Sequence, residues 1–168
     1  MYLRAQFGVY AVLGNHDWWY NAARVKASLE NVRLTVLEND VAALSINGQK
    51  LWLTGLSDEW AGKPDLSGTL AKVTDQAPVI VLTHNPDLFP RLPANIALTL
   101  AGHTHGGQCA FPLIGRPIVP SKFGQRYAAG YLIEEQKPLF VTSGLGTSIL
   151  PVRFGVPPEI AFLKLVSP

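Results

Sequence analysis

Three short apolar runs constrain this chain more than anything else in it: "VYAVLG" closing at Gly14, "PVIVLTH" closing at His84 and "IALTLAGH" closing at His103. The last two are too short and too continuously apolar for a surface helix, which would turn a polar side to water every few residues. They read as strands covered on both faces, the pattern of a parallel sheet, and the first reads as an interior strand. Each run stops at a polar turn. The four histidines of the chain, His16, His84, His103 and His105, all lie at or just past the end of one of these runs. In open α/β sheets, groups just beyond the carboxyl ends of adjacent strands converge on one crevice. Histidines far apart in sequence are therefore expected to meet.

The rest of the chain fits an α/β reading as one domain over residues 1–168. Ala22, Val25, Leu29 and Val32 recur at steps of three, four and three, which predicts an amphipathic helix capped by Asn21. "VAALSI" and "KLWLTGL" flank Asn47-Gly48, a dipeptide suited to a type I′ turn, so a hairpin is predicted at about residues 41–56. A second helix over Leu66–Thr74 shares Leu66, Leu70 and Val73 on one face, and "NPDLFPRLP" reads as a helical turn broken by prolines. Residues 106–126, rich in Gly and Pro, read as a long ordered loop. The tail predicts three more strands, "AGYLIEE", "KPLFVTSG" and the alternating "EIAFLKLV".

Composition bounds the function classes. A length of 168 residues buries roughly 70% of the unfolded surface, and 48% hydrophobic against 15% charged residues argues against long disorder. The net charge of +2 comes from scattered Lys and Arg without a basic run, so neither nucleic acid nor acidic lipid is an expected partner. No stretch approaches the ~20 apolar residues of a membrane span, and no signal segment opens the chain. The expected location is cytoplasmic or peripheral at a membrane. A lone Cys109 excludes an internal disulfide and reads as a small buried thiol beside Ala110 and Phe111.

Imidazole nitrogen is a common ligand for borderline metals, and an Asn oxygen or a carboxylate completes sites for Mn, Fe, Co or Zn. In "AGHTHGGQ", residues 101–108, two histidines one residue apart project from nearly adjacent backbone positions. Each is then able to serve one of two ions about 3.5–4 Å apart. The glycine pair after them permits close backbone approach to an anion. Taken together, the four histidines favour ligand roles over ordinary packing.

"GNHD" at Gly14–Asp17, "THNPD" at Thr83–Asp87 and "GHTHGGQ" at Gly102–Gln108, in this order, resemble the last three motifs of the calcineurin-like metallophosphoesterases. "GLGTSILPVRFGVPPEI" and the Gln after the glycines are similar to a bacterial branch, some of whose members are membrane-associated. The resemblance implies a two-sheet β-sandwich flanked by helices, divalent metal ions as cofactors, and hydrolysis of phosphomonoesters, phosphodiesters or pyrophosphates on a small-molecule or lipid substrate. It implies that Asn15, His84 and His103 bind one ion of a dinuclear centre and His105 the other. His16 then serves as general acid or phosphoryl hydrogen-bond donor, with Asp17 orienting its imidazole. Hydroxide activated between the ions attacks in line while His16 handles the leaving alkoxide.

The family's two earlier motifs, Asp-x-His and Gly-Asp-x-x-Asp, are absent upstream of Gly14, where there is no Asp or His. Three explanations stay open: a truncated chain, strands supplied by another copy or partner, or a degenerate relative that binds one ion or none. On the first, the isolated chain is expected to be weak or inactive. The fold then lacks its N-terminal strands and exposes an apolar strand edge, which predicts self-association. Among possible carboxylate substitutes, Asp58 reads better as a turn cap and Asp87 as part of its "HNPD" pattern. Trp52 reads as packing. Trp18 or Trp19 reads as either crevice wall or helix packing, and Trp60 as either crevice rim or loop anchor. Arg116, Lys122 and Arg126 read as a solvated loop ahead of contacts to a phosphorylated substrate, and Gly144 and Gly146 match no phosphate-loop pattern.

Overall fold

The computed structural model describes residues 3–166. Its centre is a six-stranded mixed sheet built from β3 (Asp40–Ile46), β4 (Gln49–Gly55), β5 (Val79–Leu82), β6 (Leu98–Ala101), β7 (Gly130–Glu134) and β8 (Lys137–Val141), in the order β3-β4-β5-β6-β8-β7. The two apolar runs ending at His84 and His103 become β5 and β6. They lie side by side and parallel, with Ile80 opposite Leu98 and Leu82 opposite Leu100. Hairpins supply the antiparallel rims. Asn47 and Gly48 take the left-handed conformations, φ 51° and 80°, that a type I′ turn requires. A separate parallel pair joins β1 (Tyr10–Ala11) to β2 (Thr35–Val36). Of the expected second layer, this pair is all the described residues contain.

Helix α1 spans Asn15–Asn31 and breaks at Asn21, whose backbone is extended and whose Oδ1 accepts the N–H of Arg24. The predicted cap at Asn21 is thus present, with one further turn of helix in front of it. The predicted face, Ala22, Val25, Leu29 and Val32, is half-buried. The second helix, α2, is only Leu66–Leu70, shorter than expected, yet Leu66, Leu70 and Val73 still pack on the core. One sheet face is closed by that helix, by the 3₁₀ turn Pro86–Arg91 and by Tyr127. It buries Trp52, Val81, Leu88, Phe89, Leu139 and Val141.

"EIAFLKLV" is not a strand. A strand needs a neighbour to satisfy its N–H and C=O groups, and alternation alone does not supply one. Residues 160–166 form no ladder. They follow Pro157 and Pro158, and Phe162–Val166 line a cleft with Tyr131 and Phe140 on the outer sheet face. Cys109 is likewise half-buried rather than buried, because its backbone bridges to Phe154 near the surface. Among the described residues no helix is long and apolar enough to cross a membrane.

Candidate functional site

The site grows from three turns at the carboxyl ends of the apolar runs. Gly14 must be glycine: a Cβ there would fall 2.6 Å from the imidazole of His84. That close approach sets Asn15, the first residue of α1, against His84. The β5–β6 ladder continues past both strands, with the N–H of Gly102 donating to His84 O at 3.0 Å, so the His84 and His103 turns are fixed relative to each other. Thr104 anchors the second turn from beneath by donating its hydroxyl to Ala128 O at 2.6 Å.

Three polar atoms converge. His84 Nε2 lies 3.0 Å from Asn15 Oδ1 and 3.1 Å from His103 Nδ1. One Nε2 cannot serve both neighbours well as an ordinary hydrogen-bonding group, since it either carries a proton or presents a lone pair. Lone pairs on all three atoms facing one cation suit the arrangement better. Neighbouring donors of a six-coordinate ion with bonds of about 2.1 Å stand about 3 Å apart. His103 Nε2 is buried without a protein partner among the described residues.

Electrostatics keep these lone pairs free. Burial pushes His84 down to about 4, aided by the nearby His105 and His16 and opposed by Asp17. Burial also pushes His103 down to about 4, aided by His84 and His105 and opposed by Asp58 and Asp87. His105 is lowered by burial, by Arg153 and by His16, against a bond to Gly146. All three imidazoles are therefore neutral at neutral pH.

His105 does not join the three-atom contact. Its Nδ1 donates to Gly146 O at 3.1 Å, leaving Nε2 as the acceptor. The backbone is strained here: His103 and His105 both lie in the left-handed region, φ 68° and 51°, followed by Gly106 and Gly107. A non-glycine residue held there costs on the order of 1 kcal/mol or more, and such strain gathers at working sites. His16 is exposed at the start of α1, its ring 4.9 Å from that of Trp19. Asp17 accepts the N–H of Gly14 at 2.8 Å and closes its own turn rather than bonding to the His16 ring.

Asp58 caps a turn, as expected, and Asp87 of the HNPD segment anchors the loop at Ser121. Asp87 holds Ser121 Oγ and Lys122 N, and Asp58 Oδ2 accepts the N–H groups of Trp60 and Ala61. Lys122 and Arg126 pair with Glu59 and Glu134, and Arg116 donates to Gly106 O. Two contributors were missed. Arg153 lies within a stretch quoted only for its resemblance, yet it donates to the carbonyls of Ser143, Gly144 and His105 and so ties the Gly146 loop to the histidine turn. Glu38, raised by burial, accepts the N–H of Leu13 beneath the first turn. Neither carries a signal in the sequence, because both act through contacts made only after folding.

The donor set fits one borderline divalent ion: two neutral imidazoles and an amide oxygen. A cluster of three or more His, Cys, Asp or Glu side chains able to hold an ion is not found among the described residues. The clefts among Val73, Asp75, Pro78 and Asn95, and beneath Phe162–Val166, lie elsewhere.

No family model matches the chain. It is 37% identical over 98% of its length to a Bacillus subtilis protein described as the uncharacterized metallophosphoesterase YkuE. It is 33% identical over 94% of its length to the phosphodiesterase YaeI of Escherichia coli, and 33% identical over 98% to an uncharacterized metallophosphoesterase of Helicobacter pylori. The chain spans about half the length of these relatives, 58%, 58% and 44% respectively. Among solved structures, the NAD nucleotidase of Haemophilus influenzae is similar over 80% of this chain and 33% of its own, at 17% identity and a TM-score of 0.48.

Proposed function

Because the chain belongs to the metallophosphoesterase family, we propose that it carries the histidine side of a two-ion centre that hydrolyses phosphate esters. The observation that supports this most is the meeting of Asn15 Oδ1, His84 Nε2 and His103 Nδ1. These three atoms would hold the first ion, and His105 Nε2 would serve the second. The remaining donors for the second ion are not among the described residues, so the chain by itself is proposed to be weak or inactive. Bound divalent ions supply Lewis acidity toward the phosphoryl oxygens and lower the pKa of water.

The protein's own groups do the rest. The neutral imidazoles keep their lone pairs, and the Gly146 carbonyl fixes the tautomer of His105. His16, exposed at the rim, donates a hydrogen bond to a phosphoryl oxygen or a proton to the departing alkoxide. The proposed substrate is a phosphate ester of a small molecule or lipid.

The test is Mn- or Zn-dependent hydrolysis of bis-p-nitrophenyl phosphate by this chain and by a version extended to the length of its relatives. Turnover in the extended protein, lost in His16→Ala with metal binding retained, is the expected outcome. A second reading, a metal-binding domain without turnover, is favoured by the single-ion donor set. Metal binding with inactivity in both versions would establish it instead.

A further inference from the structure

The histidine row is bracketed by two exposed indoles. Trp19, one helical turn after His16, is 61% exposed with its ring 4.9 Å from that imidazole. Trp60 is 45% exposed and meets the His103 ring edge-on at 4.4 Å and 83°. Between them run Asn15, His84 and His103, each in contact with the next. The two tryptophans thus border the proposed site, Trp60 at His103 and Trp19 at His16.

Trp60 is held there by the protein. Asp58, fully buried, accepts the backbone N–H groups of Trp60 and Ala61 at 2.8 Å each. The loop is also tight at Gly62, where a Cβ would fall 2.2 Å from Ser57 Oγ. Trp19 is set by the first turn of α1, since residues three apart on a helix are neighbours. Both rings stay partly exposed. Lys50 lies over Trp52 and Arg24 over Tyr20, but among the described residues no Lys or Arg covers Trp19 or Trp60. A large apolar ring left in water forfeits the free energy its burial would release, and a planar partner recovers it with added ring-to-ring attraction.

We propose that Trp19 and Trp60 select the organic part of the substrate, a planar aromatic group such as an aryl ring or a nucleobase on the phosphoryl centre. This rests on the phosphate-ester reading above. Stacking on one indole rather than an alkyl contact makes the preference one for flatness, not merely for apolar bulk.

Calorimetric binding to the manganese-loaded chain tests this with three non-hydrolysable probes: methylphosphonate, phenylphosphonate and n-hexylphosphonate. Phenylphosphonate is expected to bind about tenfold tighter than either of the others. Trp60→Ala and Trp19→Ala each remove most of that advantage while leaving methylphosphonate within about twofold, and Trp60→Phe and Trp19→Phe keep it. Equal binding of phenyl and methyl probes overturns the proposal. Hexyl binding as tight as phenyl overturns it in favour of an alkyl chain. If methylphosphonate itself fails to bind, the phosphate site falls, and this inference falls with it.

Discussion

The two ends of strands β5 and β6 share one sheet and one core but differ in backbone strain, close approach and titration. At the amino ends the groups are ordinary: Asp75 accepts from Lys50 Nζ and Trp52 Nε1 in the open, near Pro78. At the carboxyl ends three neutral histidines sit close together, two of them with left-handed backbones, and a glycine is squeezed against an imidazole. Both ends are reached by the same hydrogen-bonded ladder, so the strain is not a by-product of the sheet. Such strain gathers at working sites, and between these two ends it is confined to the carboxyl one.

The sharpest way to break this contrast is to remove a donor at each end. His84→Ala or His103→Ala is expected to weaken manganese or zinc binding by at least about 100-fold, whereas Asn95→Ala at the other end leaves it unchanged. Titration calorimetry separates the two. Equal losses would mean the ion does not recognise the carboxyl end.

Glycine substitutions give a smaller effect. Gly14→Ala pushes a methyl into His84 and is expected to cost about 1–3 kcal/mol of stability, with roughly tenfold weaker metal binding. Gly48→Ala in the hairpin turn meets open space and strains only φ, costing about 1 kcal/mol without touching metal affinity. Denaturant unfolding and metal titration on both variants check this.

The two ends also titrate in different windows. Burial holds His84 and His103 at about 4 against an ordinary 6.5, so the unfolded chain takes up protons first as pH falls. Their contribution is intact above about 6.5 and is lost progressively toward 4. Hydrogen bonds from Lys50 and Trp52 hold Asp75 at about 2 against 3.8, so its contribution is lost only between those lower values. Thermal melts of the metal-free protein should decline from pH 6.5 to 4, with a shallower slope in His84→Asn. Asp75→Asn should leave that slope as it is and alter only the acid limb, the smallest effect of the series.

Much of the carboxyl end was legible because its signals are local. A continuous apolar run followed by a polar turn names a buried strand and its end, which located β5, β6 and the histidines, and Asn47-Gly48 named its own turn type. The tail shows the opposite. "EIAFLKLV" alternates like a strand, but pairing depends on a free neighbouring edge, which is a property of the assembled sheet. The bond of Asp17 to Gly14 was not legible either, since it depends on where the helix begins. Arg153 and the Trp60–His103 contact bring together residues tens of positions apart, with no repeat or period to announce them.

The decisive measurement is X-ray absorption on the chain carrying one equivalent of zinc. Two imidazole shells with at least one oxygen are predicted, falling to one imidazole in both His84→Ala and His103→Ala. A spectrum without two imidazoles, or one unchanged by either substitution, would contradict the meeting of Asn15, His84 and His103 around one ion.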